Sequence, residues 1–328
     1  MRAFFFAAAL LALPLSSLAQ QAPAPAAAGQ FVSPNQQEAK TLAETVYNTW
    51  RLSMQRHSEP AWRSSTSYSR QVKVRNMIVS QKGNFPTDYF MNQPEPPALE
   101  NFRYVGALAN VRKDAIAATY VGRVQVGNGK PAESAFVLHL VRDNGKWKLD
   151  QTAMFNLAQL PKVRERLNKR DLSVLQEQDG FHPYAAAPAV PAACRTPELI
   201  GKVFVDAPGR EIEMHINGVS VHEFADVRRA DVISGGLRRG TNTITYHIKD
   251  EAGKPHPSMA IGLFVMPETP GNHPVCVFDH ILDEKDAANG GSFTFNITNT
   301  HIASMNPRYT GEKPQPYHAV PLKEKPKK

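Results

Sequence analysis

Apolar positions between residues 34 and 81 recur with a helical period. Ala39, Leu42, Ala43, Val46, Tyr47, Trp50 and Met54 form one stripe, the spacing of a helix that buries one face. Ser33 is the expected N-cap, with Pro34 at the first helical position and Gln36 as capping-box partner. Ser58 is expected to cap a second segment holding Trp62. A third, around 67–81, carries Val72, Met77 and Ile78 and ends near Gly83. The Pro-rich stretch 84–99 reads as irregular.

From residue 100 the period shortens to that of strands. The run 102–109 is expected to place Phe102, Tyr104, Gly106 and Leu108 on one face. Strands follow at 115–126, 133–142 and 146–155, with Gly127-Asn128-Gly129 and Asp143-Asn144-Gly145 as turns. Asn-Gly between alternating runs is a strong hairpin signal. A short basic helix at about 161–176 closes the block. Helices followed by an antiparallel meander predict an α+β fold, with helices packed on a curved sheet.

After residue 198 the pattern is all-β. Strand-like runs lie at 200–205, 211–216, 219–224, 242–248, 259–266, 274–278 and 292–298, with Asn217-Gly218 as a hairpin turn. Frequent turn signals predict a β-sandwich domain.

Both blocks carry a family resemblance. The hairpin DNGKWKLDQT at 143–152 resembles the closing strand of the nuclear-transport-factor-2-like superfamily. That resemblance spans about 34–160 and implies a cone whose mouth can hold a pocket. In the second block, Ile216-Asn217-Gly218, Asp231-Val232 and the run Leu237–Ile244 resemble jelly-roll modules of the galactose-binding-like class. These residues mark turns and core strands, not a ligand site.

Composition then sets boundaries and compartment. Residues 1–19 read as a signal peptide: Arg2, an apolar run from Phe4 to Leu15, and Ser17-Leu18-Ala19 before the cut. The run is short for a bilayer span, and no later stretch reaches transmembrane length. Residues 20–33 are a low-complexity leader, and 181–197 a Pro/Ala linker. Residues 307–328 are a basic Pro-rich tail expected to be disordered. Two domains remain, 34–180 and 198–306. The net charge of +8 divides into +7 for the first and −5 for the second, the remainder lying outside them. The basic tail is therefore an expected contact for an anionic surface.

Export makes an oxidising setting, so the only two cysteines, Cys194 and Cys276, are expected to form a disulfide clipping the linker to the second domain. Two free or intermolecular thiols are the alternative.

Candidate chemistry is sparse. Enzymes on the cone fold often use an Asp/His or Asp/Tyr pair, which the resemblance carries to Tyr120, His139 and Asp150 as candidate ligand-binding residues. General acid–base work needs such groups within hydrogen-bond reach. His139 and Asp150 fall on neighbouring strands and are not expected to lie directly opposite each other; no catalytic residue is assigned. Seven of eleven histidines lie in the second block, near Met259, Met266 and Cys276. No HxH, HExxH or CxxC spacing supports a metal, and no cofactor is expected. The acidic group Asp279, Asp283, Glu284 and Asp286 reads as a solvated loop beside a weaker Ca²⁺ alternative. Glycan binding rests on the jelly-roll resemblance alone, and all three Trp lie in the first block. Nucleic acid is not an expected partner, since no recognition module or phosphate loop is present. The favoured reading is a periplasmic or secreted, non-catalytic binding or assembly protein of a bacterial envelope. Its partner would be an unknown envelope protein or polymer. The rivals are an enzyme using the cone pocket, and a glycan or metal binder acting through the sandwich.

Overall fold

Asn35, not Ser33, starts the first helix: its side chain accepts the backbone N–H groups of Gln37 and Glu38. Helix α1 runs Gln36–Gln55 and buries Ala39, Ala43, Val46, Tyr47 and Met54, the stripe read from the sequence. Gln36 has another use than the capping box. Its Oε1 accepts the Tyr104 hydroxyl and the Ala107 N–H, tying the helix start to a strand. These contacts belong to a computed structural model that describes residues 31–124, 131–169, 171–178, 180–286 and 289–320. The signal peptide, leader residues 20–30, the Gly127-Asn128-Gly129 turn and tail residues 321–328 lie outside the described residues.

Helices α2 (Glu59–Ser65) and α3 (Tyr68–Ser80) follow as expected, but Ser58 makes no side-chain cap. The stretch read as irregular holds helix α4 (Thr87–Asn92), because Tyr89 and Phe90 bury against Trp62. The antiparallel sheet is an uncrossed meander: β1 (Phe31–Val32), β2 (Phe102–Asn110), β3 (Ala115–Val124), β4 (Ala132–Asp143) and β5 (Lys146–Asn156). Asn144 and Gly145 both take positive φ at the β4–β5 turn, the geometry that makes Asn-Gly a hairpin signal. A bulge between Tyr104 and Gly106 shifts the phase of β2. Leu108 therefore faces the side opposite to Phe102 and Tyr104, in contrast to the expected alternation. One face of the sheet packs on α1. The other packs on α5 (Pro161–Asn168) and α6 (Val174–Glu177), into which the expected basic helix divides, and on Phe181.

The Pro/Ala segment 181–197 contains no helix or strand, yet it is packed. Phe181 stacks on Phe155, and His182 on Phe31. Asn110 donates to the carbonyls of Tyr184 and Ala185, and Ser69 to that of Ala189.

The C-terminal region is mostly β, in one connected, nearly closed sheet. Its strands are β6 (Gly201–Ile216), β7 (Ser220–Val232), β8 (Gly240–Asp250), β9 (Met259–Val265), β10 (Val275–Leu282), β11 (Gly290–Ile297) and β12 (Tyr317–His318). Two expected strands, 200–205 and 211–216, are the halves of β6. The first half pairs with β9, the second with β8, and β7 follows the other edge throughout. The chain bends between them at Pro208-Gly209. Gly209 has φ +68, and a Cβ there would lie 2.1 Å from the Pro255 carbonyl oxygen. Both arms thus share one core, including Val203, Met214, Ile244, Leu263 and Phe278. Part of the tail is ordered: β12 pairs in parallel with β10, and Tyr317 stacks on Phe278 at 5.9 Å. Helix α7 (Asn299–Ala303) precedes it.

Two compact units emerge. Among the described residues, 31–73 groups with Pro86–Pro191, and Val74–Phe85 groups with 192–320. The segment Val74–Phe85 brings Asn76 and Ser80 to Cys194.

The expected disulfide is not formed; both cysteines are free. Each sulfur has its own surroundings. Cys194 is buried against α3, its N–H donating to Asn76 Oδ1 and its Sγ lying 3.4 Å from Ser80 Oγ. Cys276, on β10, directs its Sγ to the Phe278 carbonyl at 3.2 Å.

Candidate functional site

The site grows from an irregularity in the β4–β5 pair. His139 pairs with Gln151 and Leu140 with Leu149, leaving Asp150 as the extra residue of a bulge. Bulges re-aim side chains. Asp150 lies on the His139 side of the sheet, opposite in phase to Leu149, but the bulge sets Gln151 rather than Asp150 directly across from His139. An unbroken ladder from the Asp143–Lys146 pair would set Asp150 itself opposite His139.

Two residues outside the sheet complete the cluster. Ser67, just before α3, donates its hydroxyl to Asp150 Oδ1. Ser67 Oγ also accepts the Arg70 N–H at 3.1 Å, so it serves the start of the helix as well. Tyr184 donates to Asp150 Oδ2 at 2.9 Å and lies 3.1 Å from Gln151 Oε1. A phenol has one proton, and the carboxylate is the stronger acceptor. The Tyr184 and His139 rings lie 5.4 Å apart.

Burial governs the electrostatics. Ser67, Asp150 and His139 are 2%, 3% and 4% exposed. Loss of solvent lowers the His139 pKa to about 4, against the opposing pull of Asp150 and a hydrogen bond to the Gly180 backbone. His139 Nδ1 has no hydrogen-bond partner among the described residues. Burial, then the Asp150 charge, raises the Tyr184 hydroxyl well above its ordinary value. The imidazole is therefore neutral near pH 7, and both carboxylate oxygens are occupied. A general base needs an open approach to substrate. This cluster instead fastens three chain segments together.

Tyr120 does not join it. It lies on the α1 side of the sheet with Ala118, Phe136 and Leu138, while His139 faces the other way. Its hydroxyl is buried, has no partner among the described residues, and is held above the usual phenol range by burial and by Glu44 and Tyr104. The α1 face, where a cone pocket is expected, is packed with aromatic rings. Tyr47 meets Phe136 edge-on at 5.5 Å, and Phe102 lies 5.4 Å from the same ring.

The second region's candidates are likewise occupied. Burial and Asp279 push the Cys276 thiol up to about 11, which disfavours the thiolate a metal needs. His280 directs Nδ1 to the Ala319 carbonyl, and Asp279 meets His318. Among the described residues no three His, Cys, Asp or Glu side chains group as a metal site requires. Tyr246 is a core residue stacked near Phe293 and His280.

Ser67 and Tyr184 were not singled out from the sequence. The available signal was Phe181 and Tyr184, aromatic residues inside an otherwise Ala/Pro tract. Comparison with known proteins matches the chain to no family model, no curated protein and no solved structure. Among the described residues, no helix is long and apolar enough to cross a membrane.

Proposed function

We propose that this is an exported binding or assembly protein of a bacterial envelope, without chemistry at the His139–Asp150 cluster. One observation carries the reading: Asp150 spends both oxygens on Ser67 and Tyr184 within the core. The rival, an enzyme using a cone pocket, needs convergent polar groups open to substrate. Tyr120 and His139 diverge across the sheet instead. A transition-metal reading lacks a ligand group among the described residues.

The first unit is read as a nuclear-transport-factor-2-like cone, supported by helices that precede an uncrossed five-stranded meander. The second is read as a galactose-binding-like module, supported by Asn217-Gly218 turning β6 into β7. Processing after Ala19 would deliver the chain to the periplasm.

The test is to express the full chain in a Gram-negative host and recover it from the periplasm by osmotic shock. Intact mass with Gln20 as the first residue is the expected result. Cytoplasmic protein retaining residues 1–19 overturns export. The catalytic rival is tested by screening hydrolase and isomerase substrates. A turnover that Asp150→Asn abolishes while the protein stays folded would establish the rival.

A further inference from the structure

Two turns meet at one end of the first sheet. The β2–β3 turn carries Val111, Arg112 and Lys113, and the β4–β5 turn carries Arg142 to Lys146. The Arg142 N–H donates to the Asp114 carbonyl at 2.8 Å, which holds the turns side by side. Arg112, Lys113, Arg142 and Lys146 are all exposed. None has an ion-pair partner among the described residues; the Arg142 guanidinium reaches only the Gly145 carbonyl. The acids at this end are already engaged. Asp143 binds Lys148 and the Tyr68 N–H, and Asp114 accepts from Asn110. Residues 111–114 and 142–148 together hold five cations against two carboxylates, a net charge of +3, whereas Arg63, Arg166 and Lys254 sit in ion pairs.

Two apolar groups stand among them. Val111 is 56% exposed, and Tyr68 is 54% exposed beside Asp143. Cations with a projecting aromatic and aliphatic side chain match a lipid headgroup layer: the charges meet phosphates and the rings sit at the interface. A further fact favours a bilayer over another polyanion. Phe31 pairs with Asn110, the last residue of β2, so the preceding thirty residues join the fold at this end. They include the apolar run from Phe4 to Leu15. A leader held at a membrane would enter this unit beside the patch.

We infer that this turn end is a docking face for an anionic bilayer surface, with Arg112, Lys113, Arg142 and Lys146 on the headgroups and Val111 and Tyr68 at the interface. The inference names a partner for the envelope protein proposed above and rests on that reading. It places the anionic contact on the folded sheet, separate from the tail.

The test is co-sedimentation of the full chain with vesicles of phosphatidylglycerol and phosphatidylcholine, against phosphatidylcholine alone, at low salt. The leader is present in every variant, so differences between variants report the patch. Each cation in the surface potential contributes about fivefold to partitioning. Arg112→Glu with Lys113→Glu should then lower binding to the anionic vesicles by at least about 25-fold. Lys162→Glu with Arg164→Glu on α5 makes the same change in net charge and should cost less than about threefold. Circular dichroism reports folding, and Lys146→Glu serves if the first pair misfolds. Equal losses from both pairs, or equal binding to neutral and anionic vesicles, overturn the inference. Retention on heparin without vesicle preference also overturns it, in favour of a soluble polyanion. Each of these leaves the export test on Gln20 untouched, so the two readings fail separately.

Discussion

The Tyr184 hydroxyl donates to Asp150 Oδ2 at 2.9 Å, joining an Ala/Pro segment to the bulge of β5. Asp150 is buried, so the bond forms where an unpaired carboxylate oxygen would be costly. Tyr184→Phe should lower unfolding free energy by about 1.5–3 kcal/mol, the range for a hydrogen bond to a charged group. Asp150→Ala, which also strands Ser67, should cost more. Urea titration followed by far-ultraviolet circular dichroism reads both. An unchanged midpoint in Tyr184→Phe would remove the latch.

His139 gives the fold an acid sensitivity. Its folded pKa is about 4, below the 6.5 of an unhindered imidazole. Above pH 6.5 neither state carries the proton. As pH falls from 6.5 toward 4, the unfolded chain protonates first and stability declines; below 4 the term levels off. The full span is about 3 kcal/mol. His139→Gln should flatten the stability profile within that window. Parallel profiles for the two proteins would contradict the assignment.

Gly209 and Gly253 both have positive φ, but only Gly209 is crowded. Gly253→Ala should cost about 1 kcal/mol, the backbone penalty alone. Gly209→Ala adds a clash with the Pro255 carbonyl and should cost at least about 2–3 kcal/mol, a strained or overpacked change. Paired thermal melts compare them. Equal shifts would place the β6 bend elsewhere.

Tyr317 anchors the short β12 to Phe278 and Phe293. Tyr317→Ala should cost about 1–2 kcal/mol, combining partial burial with ring contact. The Ala319 amide, which bonds to Asp279, should lose hydrogen-exchange protection first. Protection equal to that of the parent chain would contradict this role.

Both cysteines are free. Unfolding without reductant, in the presence of iodoacetamide, should add two alkyl groups. In the folded protein the buried Cys194 should label last. Protein that takes no label after unfolding would carry the Cys194–Cys276 bond after all.

The stripe from Ala39 to Met54 was legible because burial of one helical face imposes a period on residue type. Asn144-Gly145 and Asn217-Gly218 were legible because few residues tolerate two successive positive φ angles. The bulges at Val105 and Asp150 were not. An extra residue in one strand leaves no compositional mark, yet it reverses every face beyond it. That reversal moved Leu108 away from Phe102 and put Gln151, not Asp150, across from His139. The two runs in β6 looked separate because Pro208-Gly209 resembles a break, and only the neighbouring strands show it to be a bend. The ordered parts of 181–197 and 307–320 were hidden for another reason. Pro and Ala describe a chain without internal hydrogen bonds, and say nothing about the aromatic side chains that pin it.

Phe31–Val32 lies along one margin of the first sheet, and Tyr317–His318 along one margin of the second. Each short strand completes one edge of its sheet. During synthesis the β10 margin stays bare until Tyr317–His318 has been made, after every other strand of that sheet. Unguarded margins invite pairing with other chains. Removing either short strand thus exposes a sheet margin and should lower solubility.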